Sequence, residues 1–302
     1  MNRIRLAFLC AALLATGSAL GQDLEPRFFS QVPVDMNFAV LATGHSEGGM
    51  LFDQGTTLED VTGEMTSVGA GYLRTLDFFG LSAKASAVVP FVWGDWKGMY
   101  QGEFATASRR GFADPAAELS VNFIGAPAMK MSEMRSYNQT WVVGASFRVT
   151  MPLGQYYADK LLNLGTNRWA FRPRLGTSWK SGGWTLEAMA SVWLFTANDD
   201  FLGGALLEQD ALWSSQLSAV YQWPSGIWLG VGAGGARGGK AKTNGVASDT
   251  YRKSTRFAGI FSMPVSRRHS LKLVYINGLR TRVGADFDKV SLAWSMRWGG
   301  EK

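Results

Sequence analysis

The sequence predicts an all-β chain, an antiparallel transmembrane β-barrel of the outer membrane with about 12 strands. Three features predict it: a period of two in hydropathy, connections that alternate long and short, and tryptophans gathered on the apolar parity near segment ends. From Val290, the residues Val290, Leu292, Trp294, Met296 and Trp298 share one parity, and Ser291, Ala293, Ser295 and Arg297 share the other. That is a strand with one apolar face.

Composition agrees. The 302 residues are 46% apolar and 18% charged, with 36 Gly, 12 Trp and one Cys, which excludes disorder, collagen and a disulfide scaffold. After the first two dozen residues there is no apolar run long enough for a helical span.

In chain order, residues 1–21 read as a secretory signal: Arg3 and Arg5 precede an apolar run from Leu6 to Leu14, and Ala19 and Gly21 are small enough for cleavage. That run is too short for a membrane anchor. Cys10 follows Leu9 rather than a small residue, so the pattern does not fit a lipoprotein, and the mature chain then contains no Cys for thiolate metal sites or a Cys nucleophile. Without Arg3 and Arg5 the mature chain has 28 basic and 24 acidic residues, a mild excess with no basic run, which gives no sign of nucleic-acid binding.

Twelve strands follow at 33–43, 65–77, 81–93, 115–124, 139–152, 167–179, 184–196, 210–223, 227–238, 253–264, 269–280 and 286–298. The fifth carries Trp141, Val143, Ala145, Phe147, Val149 and Met151 against Gly144, Ser146, Arg148 and Thr150. The eighth sets Trp213, Leu217, Ala219, Tyr221 and Trp223 against Ser214, Gln216, Ser218 and Gln222. Long loops at 44–64, 94–114, 153–166, 197–209 and 239–252 alternate with short turns such as Phe78-Phe79-Gly80, Ser181-Gly182 and Pro224-Ser225-Gly226. In outer-membrane barrels the long loops are extracellular and the short turns periplasmic. The connections 125–138 and 281–285 break this alternation, which suggests a misplaced strand.

A secreted β-sandwich also alternates, but it rarely puts its tryptophans at strand ends on one parity. In the sixth strand, Trp169, Phe171, Leu175 and Trp179 oppose Arg172 and Arg174. An arginine facing lipid at mid-depth costs about 2–4 kcal/mol, so these two must face the lumen. Pro173 lacks a ladder donor and suggests a bulge.

The same parity sends Asp35, Lys84, Glu118, Arg148, Arg172, Arg174, Glu187, Lys272 and Arg280 into the lumen. Two readings stand side by side. Charges of both signs can pair across a narrow barrel and stiffen it, or the excess of Arg and Lys can form a selectivity lining for anionic or polarisable solutes. The glycines Gly230, Gly232, Gly234 and Gly235 lack the following helix and Lys of a phosphate cradle; packing is the better reason, with small inward residues leaving space or admitting another chain segment.

Across nearly the whole mature chain, Tyr72-Leu-Arg-Thr75, Gly111-Phe-Ala-Asp-Pro115, Leu119-Ser-Val-Asn122, Gly125-Ala-Pro127, Met151-Pro-Leu-Gly-Gln-Tyr156, Asn163-Leu-Gly-Thr-Asn-Arg-Trp169 and Phe171-Arg-Pro173 occur in an order that resembles the outer-membrane family described as meta-pathway of phenol degradation protein. The family commonly has Leu-Pro-Thr-Gly where Met151-Pro-Leu-Gly stands here. The resemblance implies a transporter-like barrel that passes small hydrophobic or aromatic compounds, and it brings no residue-level mechanism. Read as residues, Gly154, Gly165, Asp114 and Asn122 suit either rim architecture, with glycines at positive φ and local capping, or gating and solute capture.

An outer-membrane lipid hydrolase competes weakly, because His45 and His269 are expected at opposite barrel ends. Asp199-Asp200 and Asp286 with Asp288 fall short of the oxygen count of a Ca²⁺ site. The reading is therefore a channel or transporter without cofactor, metal or catalytic residues; a structural or adhesive barrel is the alternative. The expected partners are outer-membrane lipid, a small hydrophobic or aromatic solute and the barrel-assembly machinery.

Overall fold

The computed structural model describes residues 24–51, 58–100, 102–247, 250–281 and 284–300. The secretory signal expected at 1–21 lies outside the described residues. The strands are β1 (Met36–Leu51), β2 (Leu58–Phe78), β3 (Leu81–Tyr100), β4 (Glu103–Phe112), β5 (Ala116–Ile124), β6 (Trp141–Thr150), β7 (Ala170–Ser181), β8 (Trp184–Phe195), β9 (Asn198–Phe201), β10 (Ala205–Gln209), β11 (Leu212–Gln222), β12 (Trp228–Gly238), β13 (Ala241–Thr243), β14 (Val246–Ala247), β15 (Arg252–Pro264), β16 (His269–Thr281) and β17 (Gly284–Gly299).

Twelve of them close a ring: β1 pairs with β17 and β2, β2 with β3, β3 with β5, and the antiparallel ladder continues through β6, β7, β8, β11, β12, β15 and β16. Each of the twelve expected segments holds one of these strands. No helix of the described residues is long and apolar enough to cross a membrane; the wall is made of strands.

Parity sets the wall. Leu217 and Val231 point outward and are 64% and 60% exposed, whereas their chain neighbours Ser218 and Gly232 point inward and are buried. Rings on the outward face sit near the short turns, with Trp141 beside Trp179 and Tyr221 between Trp184 and Trp223. Closing the ring leaves those strands no edge at which backbone donors and acceptors would go unpaired.

The structure corrects several sequence expectations. The long loops at 44–64 and 94–114 are largely strand: β1 and β2 run to Leu51 and from Leu58, and β4 forms a hairpin with β3 above the kink 113–115. Beyond the lipid band the outward face meets water and is polar, with Thr62, Glu64, Asp95 and Lys97. The inward face carries the apolar Val61 and Trp96, so the ladder continues there without the apolar outward parity that marks the wall. Segments 197–209 and 239–252 contribute β9, β10, β13 and β14, a separate four-stranded sheet at the same end. The connection 125–138 hides no strand; it contains a single 3₁₀ turn, Glu133–Arg135, and an isolated bridge from Pro127 to Leu81. Pro173 makes no bulge: β7–β8 pairing passes from Phe171↔Leu194 to Arg174↔Ser191 with its register unchanged, and Pro173 sits in the gap where no donor is required. Residues 33–35 precede β1 instead of belonging to it, and Asp35, with φ of 61°, is exposed beside Arg74 at the short-turn rim, 3.8 Å away, rather than in the lumen.

Candidate functional site: an occupied lumen

The inward faces of the wall surround a segment of the chain itself. Residues 24–34, which precede β1, are buried throughout. Because β1 starts at the short-turn end, this segment has to fold back from there into the barrel. Thr75 fixes the bend: its hydroxyl donates to Pro33 O at 2.6 Å and accepts from Met36 N at 2.8 Å, while its carbonyl accepts from Asp35 N at 3.1 Å. The connection 125–140 clamps the segment from below, since Val34 N donates to Met129 O at 2.9 Å and Gln31 Nε2 to Pro127 O at 2.6 Å.

Inside, the segment is bonded to five wall strands, β3, β5, β7, β8 and β11. Glu25 N donates to Gln216 Oε1 on β11, and Glu25 Oε2 lies 2.9 Å from Arg174 Nη1 on β7. Arg27 N donates to Glu187 on β8, Lys84 on β3 donates to the carbonyls of Phe28 and Ser30, and Asn122 on β5 donates to Phe29 O at 3.0 Å. The guanidinium of Arg174 stacks over Phe28 at 4.1 Å. Leu24 packs among Val220, Trp228, Ile260 and Ile276.

Wall glycines make the room. A Cβ at Gly234 would stand 2.7 Å from Leu24, and one at Gly144 or Gly176 would stand 2.4 Å from the Phe29 ring. The expectation that inward glycines admit another chain segment is met at Gly234; Gly232 lies farther from Leu24, and Gly230 and Gly235 meet the wall itself.

The predicted lumenal charges come together as a belt. Glu118, Arg148 and Arg172 stand in cross-strand register on β5, β6 and β7, and Arg174 is one inward step along. Glu118 accepts from Ser146 at 2.7 Å and lies 3.9 Å from Arg172 and 4.0 Å from Arg174. Lys84, Glu118, Arg172, Arg174, Glu187 and Lys272 are buried and Arg148 is half-buried. The side chain of Arg280 lies outside the described residues. Glu25 is the acid that parity could not supply, because it belongs to no strand; it pairs with Arg174 and attracts Lys272.

The lumen is not polar throughout. In its long-hairpin half, Val61, Met65, Val92, Trp96, Leu164 and Phe287 form one buried apolar cluster. Leu164 reaches it from the loop between β6 and β7, where the motifs that carried the family resemblance converge. Asp114 accepts from Gly154 N at 2.9 Å, Thr166 N at 2.8 Å and Thr166 Oγ1 at 2.7 Å. A Cβ on Gly154 would lie 2.7 Å from the backbone at Asp114, and one on Gly165 2.8 Å from Gly154. These glycines therefore allow three strands of chain to touch and, against expectation, have no need of positive φ; nor is the capping by Asp114 local. Asn122 lies within the lumen, where it holds the inner segment. Beside the same loop, burial and the like charge of Arg252 lower the Arg168 guanidinium to about 10, while Arg168 stacks over Phe195 at 4.5 Å and donates to Gln209.

His45 lies exposed on the outward parity of β1 near Glu64, and His269 begins β16 at the short-turn end, stacked on Trp294. The two histidines share no site. Among the described residues no cluster of three His, Cys, Asp or Glu is placed to hold a metal.

The comparisons agree with this architecture. The chain superposes with a TM-score of 0.77 on the COG4313 outer membrane channel from Pseudomonas putida F1, at 21% identity, covering 91% of this chain and 100% of that one. The β domain of the Bordetella autotransporter BrkA gives 0.53 at 10% identity, covering 87% and 100%. At these identities the likeness is one of fold, the closed barrel of outer-membrane proteins. No curated protein sequence matches the chain. Residues 53–289 match a family profile, and the chain thus belongs to the family described as "Putative MetA-pathway of phenol degradation".

Proposed function

We propose that the protein is a passive outer-membrane channel for small hydrophobic, in particular aromatic, molecules, with its short turns in the periplasm and its long hairpins outside the cell. The observation that carries this reading is the apolar cluster in the long-hairpin half of the lumen, around Trp96, Leu164 and Phe287. Channels for hydrophilic solutes keep a polar, water-filled interior, whereas this mouth offers a solute burial in place of water. The family description supports the solute class, and the shared fold with the Pseudomonas putida outer membrane channel supports conduction. In this reading the belt around Glu118 and Arg174 is structural and holds the inner segment, which must shift for a solute to pass.

One observation favours the alternative of a structural or adhesive barrel without transport: the inner segment is bonded to five wall strands, β3, β5, β7, β8 and β11. Uptake of a labelled aromatic compound by cells with and without the protein separates the two. The channel reading expects faster entry with the protein present, and equal entry for every hydrophobic solute tried would leave the structural reading. For orientation, a Cys placed at Gly245 should react with an impermeant maleimide on intact cells and one at Ser225 only after permeabilisation; the reverse would invert the barrel.

A further inference from the structure

The lumen buries more positive than negative charge. Among the described residues six cations are buried, Arg27, Lys84, Arg168, Arg172, Arg174 and Lys272, against three acids, Glu25, Glu118 and Glu187. The acids serve the surroundings of the inner segment: Glu25 lies with Arg174 and Lys272, and Glu187 with Lys84 and Arg27. Arg172 shares Glu118 with Arg174. The excess therefore falls on Arg168 and Arg172, and buried charge in excess is costly unless an anion accompanies it.

These two guanidinium groups are held by aromatic rings. Trp193 and Phe195, successive inward residues of β8, lie parallel to within 5° with centroids 6.5 Å apart. Arg172 stands 4.6 Å over Trp193, and Arg168 stands 4.5 Å over Phe195. Stacking covers the guanidinium faces and leaves the in-plane N–H groups in need of acceptors. Nε and Nη2 of Arg172 are buried without a hydrogen-bond acceptor, and so is Nη1 of Arg168, whose Nη2 donates to the neutral Gln209. Arg252, on the inward parity of β15 opposite Gly238, repels Arg168 and has its own Nε buried without an acceptor. Asp114 attracts Arg168 less strongly than Arg252 repels it, and its oxygens already serve Gly154 and Thr166. Buried donors of this kind are expensive to leave unmatched.

The β3 and β17 side of the same half carries the apolar cluster of Val92, Trp96 and Phe287. One loop joins the two sides, with Leu164 in the cluster and Arg168 four residues further on.

We propose that Arg168 and Arg172, with Arg252, bind the carboxylate of an aromatic acid in the long-hairpin half of the lumen, and that its ring lies against the apolar cluster around Trp96 and Leu164. A planar carboxylate accepts from the edge of a guanidinium in pairs of hydrogen bonds, and it supplies the negative charge that this tier lacks. The apolar side selects a ring on the same molecule. The inference rests on the channel reading and sharpens its solute class.

The test is equilibrium dialysis of labelled benzoate against the full barrel in detergent, with benzyl alcohol as the neutral probe and acetate as the carboxylate without a ring. Wild type is expected to bind benzoate saturably and more tightly than either. Arg168→Gln/Arg172→Gln should bind benzoate about tenfold more weakly, as the loss of a charge-assisted hydrogen bond implies, and benzyl alcohol as before. Arg168→Gln alone leaves every strand untouched and should show a smaller loss in the same direction, which keeps the test open if the double variant fails to assemble. Unchanged benzoate binding in the variants, benzoate bound no tighter than benzyl alcohol or acetate, or displacement of benzoate by equimolar inorganic phosphate would each overturn the proposal. Benzoate binding without uptake by cells would count against the channel reading alone, and uptake of neutral aromatics without benzoate binding against this site alone.

Discussion

Gly144 on β6 and Gly176 on β7 stand directly opposite each other on the inward face, and the Phe29 ring occupies the space that their missing side chains leave. Phe29 is fully buried there and its carbonyl is held by Asn122. Replacing both glycines with alanine sets two methyl groups 2.4 Å from that ring, closer than van der Waals contact allows. Overpacking of this kind costs about 1–3 kcal/mol, and the inner segment can escape it by leaving while the wall cannot. Gly144→Ala/Gly176→Ala should therefore assemble as a barrel but expose Arg27 to trypsin. N-terminal sequencing after brief digestion checks this; protection of Arg27 equal to wild type would show that the segment stays in place.

The second prediction concerns Glu25. Its carboxylate is 2.9 Å from Arg174, and Glu118 is farther, at 4.0 Å. Removing one partner of a buried pair costs about 3–5 kcal/mol because the other charge stays behind. Glu25→Gln should lower the temperature of the heat-induced gel shift by several degrees and make channel openings more frequent, and Glu25→Gln/Arg174→Gln should recover part of the loss. Identical melting of all variants would mean that the pair does not hold the segment.

Asp114 joins β4, β5 and the loop between β6 and β7. In Asp114→Ala two backbone donors, Gly154 N and Thr166 N, lose their acceptor, at about 1–3 kcal/mol for each buried group. Faster amide hydrogen exchange across residues 151–166 is expected, with Asp114→Asn intermediate. Unchanged exchange would place the stability of that loop elsewhere.

Charge on the two faces of β11 should act differently. Leu217→Arg faces lipid at a cost of about 2–4 kcal/mol and should block assembly. Gln216→Arg faces the lumen and should assemble, but it loses the acceptor for Glu25 N and so should loosen the inner segment. Heat-modifiable migration separates the two, and equal behaviour would contradict the observed parity.

The wall was legible in the sequence because every spanning strand must present apolar atoms to lipid on one parity, as Leu217 and Ala219 do against Gln216 and Ser218. Where that constraint lapses, so does the signal: the outer stretches of β2 and β3 read as loops because their outward faces are polar, with Glu64, Asp95 and Lys97, and their apolar residues, Val61 and Trp96, point inward instead. Parity placed Lys84, Glu118, Arg148, Arg172, Arg174, Glu187 and Lys272 on the inward face, with Asp35 the exception and the Arg280 side chain outside the described residues. Yet their arrangement was not readable, because Glu25 pairs with Arg174 across 149 residues and no period reports such a contact. The one hint was local. Phe28-Phe29 precedes the first strand and follows the expected signal, so two aromatic rings needed burial somewhere, and the inward glycines of β6, β7 and β12 offered vacancies that parity already showed. The joint of Asp114, Gly154 and Gly165 was visible as motifs but not as one contact, because Asp114 lies 40 residues from Gly154 and 52 from Thr166.

The central claim is that the barrel passes hydrophobic solutes through an apolar mouth once the inner segment gives way. Its most direct measurement is solute entry into proteoliposomes loaded with an aromatic-binding reporter, comparing wild type with a variant lacking residues 24–32, and comparing a small aromatic compound with a sugar of similar size. Wild type is expected to admit the aromatic compound faster than the sugar, and the deletion to speed both while reducing the preference. Wild type indistinguishable from empty liposomes, together with a deletion variant that admits the sugar as readily as the aromatic compound, would contradict it.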